Sequence, residues 1–421
     1  MRELRTAEII AVGSELLTPY RADTNSLYLT ARLNECGVDV RAKCIVGDDR
    51  DELAALFEQA LSRTDLVITT GGLGPTDDDV TREVVAHVLG LPLHEDAELL
   101  ASIRERFAQR SLRMPEINRR QARVPRGATP LLNPKGTAPG LWIDAADRVV
   151  VLLPGPPREL QLMFERHVSG RVVERTGGRR LRRRVIKLTG RAESHVDEIA
   201  QPIYATLRDQ AVPVHTTILA VPGQIELHLS AHGSDTDLLD RTLETAVGRL
   251  TEALGPAVFS VDGRTLEEVT GYLLRERAVR IGVAESCTGG LLLARLTDVP
   301  GSSAWVVGGV VAYANNVKID ELGVPAGLIA DHGAVSEPVA QAMAEGVTRR
   351  LRCDVGVAVT GIAGPTGGTP TKPVGTVVLA LAGPDSVVKT MVFPGDRQQV
   401  RQSATTAALE MVRRALLRAS P

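Results

Sequence analysis

Two potential nucleophiles stand side by side in "IGVAESCTGGLLLARL" (281–296), where Ser286 and Cys287 close an apolar run and precede Thr288, Gly289 and Gly290. A strand that hands over to a helix leaves unpaired backbone N–H groups at the turn, and the helix dipole makes that turn electropositive. Such a place favours an attacking atom and the oxyanion its attack creates. A serine hydroxyl also needs a base. The pattern A-E-S-C-T is not the G-x-S-x-G elbow of α/β-hydrolases, and a competing reading makes Ser286 or Thr288 a simple helix cap.

Histidine is the usual base, but His215, His228 and His232 sit in a middle segment and His332 on a loop. A better partner lies in "VVAYANNVKIDELGV" (310–324), where an apolar strand ends at Tyr313 and Lys318 follows. A lysine in a dry pocket loses its proton more easily and can then deprotonate serine. On the surface it would be an ordinary solvated cation. A third piece, "TGIAGPTGG" (360–368), follows the strand-like "VGVAV". Its glycines permit close approach of the backbone, so its N–H groups either form a nest for a phosphate or oxyanion, or belong to a plain loop.

A second candidate site lies in "TTGGLGPTDDDVTRE" (69–83), a Gly-rich turn leading into three aspartates before a helix. Aspartates there act as caps and dipole partners. Beside a phosphate cradle they also suit a Mg²⁺-class ion, which would support diphosphate hydrolysis as Lewis acid and water activator.

These motifs must be carried by strand ends. The N-terminal part alternates apolar strands ("AEIIAVG", "VDVRAKCIV", "DLVITT", "RVVVLL") with helical stretches at 24–37, 51–62 and 80–90, the first with Asn25 as its expected N-cap. That alternation predicts a mostly parallel, doubly wound sheet with ligands at the carboxyl ends of its strands. The middle reads as strand (181–190), helix (191–204), hairpin (212–233) and amphipathic helix (235–255), a small β-α-β-β-α unit with one sheet face exposed. From about residue 258 the βα alternation returns with four strand candidates and a last helix at 396–418, on which Val400, Ala404, Ala407, Met411 and Ala415 share a face. The predicted fold class is α/β: two doubly wound domains (1–172 and 257–421) joined by a small α+β domain (173–256).

Composition narrows the function. Charges nearly balance at net −2, which argues against a surface built wholly to grip nucleic acid or an anionic membrane. Aromatic residues make up 3%, too few for base-stacking platforms. The four cysteines have no C-x-x-C spacing, and no run of 18 apolar residues occurs, so the expectation is a cytoplasmic protein with no membrane partner.

"AESCTGG", "YANNVK", "HGAVSEPVA" and "TGIAGPTGG" together resemble the nicotinamide-nucleotide amidohydrolase family, the C-terminal domain of CinA (competence/damage-inducible) proteins, over nearly all of 258–421. The resemblance implies a Ser/Lys amidohydrolase that needs no cofactor and turns nicotinamide mononucleotide and water into nicotinate mononucleotide and ammonia. It makes Ser286 the nucleophile, Lys318 its base and Tyr313 an assisting residue. Glu285, Thr288, Gly289, Gly290, Asn315, Thr360, Gly361, Gly364, Gly367 and Gly368 would hold the substrate. The chain departs from the family's Y-S-N-x-x-K only at position 314.

"EIIAVGSELL", "DTNSLYL", "VGDD", "TGGLGPTDDDVTRE", "NPKGTAPG" and "LLPGPPRE" are similar to the N-terminal domain of CinA proteins, which resembles the molybdopterin-binding fold of MogA and MoeA. That likeness implies a divalent-metal-dependent (Mg, Mn or Co) ADP-ribose pyrophosphatase giving AMP and ribose 5-phosphate. Gly13, Glu15, Asn25, Gly71, Gly72, Gly74, Thr76 and Gly155 would line its substrate site, with Asp78 and Asp79 as candidate metal ligands. The glycine many relatives carry before D-T-N is absent here.

The two resemblances together describe a bifunctional enzyme of pyridine-nucleotide salvage, expected as a homo-oligomer such as a dimer. One alternative keeps the N-terminal domain as a non-catalytic pterin- or nucleotide-binding module. Another gives the middle domain, which is KH-like in this family and carries five arginines between 179 and 184, a nucleic-acid role. No G-x-x-G occurs there, so an edge strand protected by basic residues is the favoured reading.

Overall fold

A computed structural model describes residues 3–418 of the chain. The ends of the first and third expected domains, residues 1–2 and 419–421, lie outside the described residues. The protein is a mixed α/β molecule that divides into two compact units. One runs to Arg182 and takes in Ala231–Arg241; the other comprises Arg183–Ser230 and the chain from Thr242 onward. No helix among the described residues is long and apolar enough to cross a membrane.

The first unit holds a six-stranded sheet in the order Asp39–Val46, Thr6–Val12, Leu66–Thr70, Arg148–Leu153, Gly140–Ala145, Thr129–Leu131. The first four strands are parallel and the last two antiparallel. A tight turn between Ala145 and Arg148 leaves no room for a crossover, so those neighbours must pair antiparallel. Helices cover both faces. Ile9 packs among Leu29, Leu33 and Phe164, while Ile10 packs among Leu53, Phe57 and Val85. Strands buried on both faces read as unbroken apolar runs. The helix Thr24–Glu35 is capped by Asp23, whose carboxylate accepts the Ser26 N–H at 3.0 Å. Asn25 is therefore not the cap, and its side chain is free to reach elsewhere.

The middle segment folds as strand Arg180–Thr189, helix Glu193–Arg208, strands Val214–Val221 and Gln224–Gly233, and helix Thr236–Leu254. The basic strand is not an edge. It lies between Gln224–Gly233 and a short strand, Val258–Ser260, which pairs antiparallel with Leu188 and Lys187. Two arginines of the basic run face carboxylates: Arg182 in the strand lies 3.4 Å from Asp240, and Arg179 just before it 3.8 Å from Asp39.

The C-terminal sheet has five strands in the order Val306–Val311, Ile281–Glu285, Val355–Gly361, Thr376–Ala382, Val387–Val392. The first three are parallel and the rest antiparallel. The helix-free segment 362–375 is closed at its neck, where Ile362 N–H donates to Thr376 and Gly375 N–H to Ile362, so the chain turns back instead of crossing over. The fifth strand was not anticipated because it is an exposed edge without a clear alternation.

The sheet's two faces differ in size. Val283, Val357, Val359, Leu379 and Leu381 meet Leu266, Leu292, Val400 and Leu409. On the other side Ala284, Ala358, Ala380 and Ala382 meet Val339, Ala340, Met343 and Ala344 of the helix Glu337–Leu351. The small face lets that helix settle close to the sheet. It also presses on the helix Asn315–Leu322, since a methyl group added at Gly346 would lie 2.0 Å from the Leu322 carbonyl oxygen.

Alanine normally exceeds glycine in a helix interior by about 1 kcal/mol. Gly346→Ala should reverse that sign and destabilise the protein by about 1–3 kcal/mol through overpacking. The control is Gly248→Ala in the helix Thr236–Leu254, where an added methyl meets nothing within 4 Å and should not destabilise. Denaturant unfolding of both variants checks the pair, and equal midpoints would refute the packing argument.

Candidate functional site

Ser286 and Lys318 meet at the carboxyl ends of two neighbouring strands. Lys318 Nζ lies 3.1 Å from Ser286 Oγ, 2.8 Å from the Ala312 carbonyl oxygen and 3.1 Å from that of Tyr313. The lysine is 1% exposed, and burial pushes its pKa below the ordinary lysine value. A neutral amine has two N–H donors and one lone pair. Once deprotonated, the amine would give its two donors to the two carbonyls and turn its lone pair to the serine hydroxyl. This is the geometry of a general base.

Cys287 is the poorer nucleophile. It is buried, and desolvation, reinforced by the charge of Glu285, pushes its thiol up to about 12. A thiol is reactive only as thiolate.

Glu285 does not face a substrate. It is 1% exposed, and its carboxylate accepts the N–H groups of Gly290, Leu292 and Leu293 at 3.0, 3.0 and 2.8 Å. The amides expected to greet an anion at the start of the helix Leu291–Thr297 are thus engaged by an internal carboxylate.

Cationic groups near the serine come from the last helix, Arg397–Arg418. From the first turn of Arg397–Arg418, Arg397 donates to the Gly364 carbonyl at 2.8 Å and to the Tyr313 hydroxyl at 2.9 Å. Arg401 donates to the Thr288 carbonyl at 2.7 Å, and its guanidinium approaches Gly289. The helix start is fixed by reciprocal bonds between Asp396 and Gln399. Neither arginine was singled out from the sequence. The available signal was their spacing of four at a helix N-terminus, where basic residues oppose the helix dipole. The glycine loop therefore offers Gly364's carbonyl to a cation, where an anion nest had been expected. Thr360 is buried and donates to Ala334, and Gly361 is paired with Val377 within the sheet. Gly367 and Gly368 lie in the loop beyond, and Asn315 opens its helix on the surface.

The N-terminal motifs also converge at strand ends. Asn25 Nδ2 donates to the Gly155 carbonyl at 2.7 Å and to Thr70 Oγ1 at 3.0 Å, while its Oδ1 is buried without a hydrogen-bond partner. Gly71 has φ +100° and no room for a side chain, since a methyl group would sit 2.2 Å from the Val12 carbonyl oxygen. Thr81 donates to Gly71 at 2.9 Å and packs against Gly72, and the Glu15 carboxyl folds over Gly13.

The Asp79 carboxylate is engaged within its own loop. Its carboxylate accepts the Gly74 N–H at 2.7 Å, the Thr76 N–H at 2.9 Å and the Thr76 hydroxyl at 2.5 Å. The same bonds withdraw the Gly74 and Thr76 amides from any phosphate. Asp77 pairs with Arg120 at 2.8 Å, and Asp78 is exposed. Among the described residues no three His, Cys, Asp or Glu side chains form a metal-holding group. The donor set does not fit a divalent ion caged by these aspartates.

Comparison with known proteins places both halves. Residues 263–416 match the family described as "CinA C-terminal domain", and residues 8–174 match "Probable molybdopterin binding domain". A CinA-like protein of Koribacter versatilis is 46% identical over 418 residues, covering 98% of this chain and 100% of its own. A CinA-like protein of Solibacter usitatus is 44% identical over 409 residues, with 97% of each chain covered. The crystal structure of a CinA protein of unknown function from Thermoplasma acidophilum is 36% identical, covers 38% of this chain and 95% of its own, and has a TM-score of 0.37.

Burial and a high pKa should protect Cys287 from alkylation. Iodoacetamide near neutral pH should modify the partly exposed Cys44 faster than Cys287. Peptide mapping reads the outcome; rapid modification of Cys287 would put its thiol in the open site and reopen the choice of nucleophile.

Proposed function

The chain belongs to the CinA family, and on that premise we propose that its C-terminal part is a Ser/Lys amidohydrolase acting on nicotinamide mononucleotide. The observation that carries this reading is the Lys318 amine held by two backbone carbonyls with Ser286 Oγ at 3.1 Å. Ser286 attacks the carboxamide carbon while its proton passes to Lys318. The tetrahedral intermediate collapses as Lys318 returns the proton to the leaving nitrogen, and ammonia departs. Water then attacks the nicotinoyl ester, giving its proton to Lys318, which passes it to the departing Ser286 oxygen as the ester bond breaks and nicotinate mononucleotide leaves. Arg397 and Arg401 supply the positive charge that a nucleotide phosphate requires, with Arginine's planar fork suited to it.

For the N-terminal unit we propose ADP-ribose cleavage to AMP and ribose 5-phosphate at the strand ends that carry Asn25, Gly71 and Gly155. The orphaned Asn25 Oδ1 supports a polar ligand there, because a buried acceptor left unpaired costs about 1–3 kcal/mol. In this reading any divalent ion (Mg, Mn or Co) would be carried in by the diphosphate and its waters, because the loop aspartates form no cage for it.

Ammonia release from nicotinamide mononucleotide by the purified chain tests the first activity. Ser286→Ala and Lys318→Ala should each lower kcat by about 10⁴-fold or more, while AMP release from ADP-ribose stays intact. The deamidase rate should rise with pH as Lys318 loses its proton. Because burial lowers that pKa, the midpoint of the rise should lie below the value of about 10.4 for free lysine. Full deamidase activity in either variant would exclude the mechanism.

A further inference from the structure

Glu285 precedes the nucleophile, yet its fully buried carboxylate is turned away from solvent and spent on three amides of the following helix turn. These partners lie five, seven and eight residues downstream, so the carboxylate closes a ring around Ser286 and its neighbours. The backbone of Glu285 reaches the other half of the dyad. Its carbonyl accepts the Ala312 N–H at 2.7 Å, and the Ala312 carbonyl in turn accepts from Lys318 Nζ at 2.8 Å. Ser286 itself is tied down by its N–H, which donates to Val359 at 2.8 Å.

We propose that Glu285 is a positioning residue of the deamidase: by seating the helix amides it fixes the turn that holds Ser286 on Lys318. The inference rests on the amidohydrolase reading above for its kinetic arm. The role needs a carboxylate. Its two oxygens can accept all three N–H groups, and hydrogen bonds to an ionised acceptor are roughly twice as strong as neutral ones. Glutamine in the same space would turn an NH₂ group toward at least one of the amides, donor against donor. An alanine would leave the amides buried and unpaired.

The test uses the full chain carrying Glu285→Gln or Glu285→Ala. Two quantities are read: kcat and KM for nicotinamide mononucleotide, and the rate at which a fluorophosphonate labels Ser286. A displacement of the nucleophile by about 1 Å can cost about 100-fold in rate. Both variants should therefore lose kcat on that scale with KM nearly unchanged, and labelling should slow in parallel. A raised KM with intact kcat would mean that Glu285 touches the substrate and would overturn the proposal. So would unchanged kcat and labelling, which would reduce the carboxylate to a helix cap. Fluorescence of Trp305, buried in the same core, checks the fold. Loss of that signal in both variants would also overturn the proposal, because Glu285 would then hold the domain and not the turn. If the wild-type chain releases no ammonia, the amidohydrolase reading fails, while labelling still compares Ser286 with and without the carboxylate.

Discussion

A buried lysine amine is the constraint around which the C-terminal part is arranged. An ammonium ion without water or partners is too costly to keep inside a protein, and even a neutral amine needs its N–H groups bonded. Lys318 finds two carbonyls, of Ala312 and Tyr313, at the point where one strand ends and the next helix begins. Those carbonyls are available only because the strand has run out of neighbours to pair with. The helix Asn315–Leu322 brings the side chain back over the strand end, and the helix Glu337–Leu351 buttresses it. That buttress can come so close because the sheet presents alanines on that face and the helix presents Gly346. Small residues remote from the serine thus set the dryness and angle of the base.

Both units use an internal carboxylate at a strand-to-helix turn. Glu285 takes three amides after Ser286, and Asp79 takes two amides and a hydroxyl in the GGLGPT loop. Glycine-rich turns of this kind are commonly read as anion nests. Here the anion is part of the chain. The gain is rigidity: a turn that must hold a nucleophile or frame a cradle is fixed before any ligand arrives, so its amides need not reorganise when one does. The consequence is that a bound phosphate must be met by other groups. In the C-terminal part the proposed function gives that place to Arg397 and Arg401.

Much of the architecture was legible from sequence because its strands are buried on both faces. "AEIIAV", "LVITT" and "VGVAV" read as unbroken apolar runs, and helices between them force parallel pairing. The exposed edge Val387–Val392 lacked that signature and escaped. The basic strand Arg180–Thr189 looked like an edge because charges often guard edges, yet a three-residue strand too short to recognise pairs beside it. Ser286 and Lys318 were recognisable because each follows the end of an apolar strand. Their cage was not, since it consists of backbone oxygens that any residue could supply. Glu285 and Asp79 were misjudged for one reason: sequence shows that a carboxylate is near a turn, but not whether it points outward to a ligand or inward to amides.

Arg397 shows how such a group can still be sought. Local rules favour reciprocal capping at a helix start and acidic residues in its first turn; Asp396 and Gln399 supply the capping with reciprocal bonds. Arg397 stands between them against the dipole, and Arg401 follows one turn later. A residue that opposes the preference of its own element needs compensation from outside it. The compensation is visible: Arg397 binds Gly364 and Tyr313, and Arg401 binds Thr288, all near the serine. The two cations therefore do more than neutralise a surface. They draw the glycine loop, the strand end before Lys318 and the turn after Ser286 onto one helix, so the groups suited to a phosphate are also the groups that hold the three catalytic segments together. In the proposed reaction, substrate charge and site geometry would be coupled through the same pair of guanidinium ions.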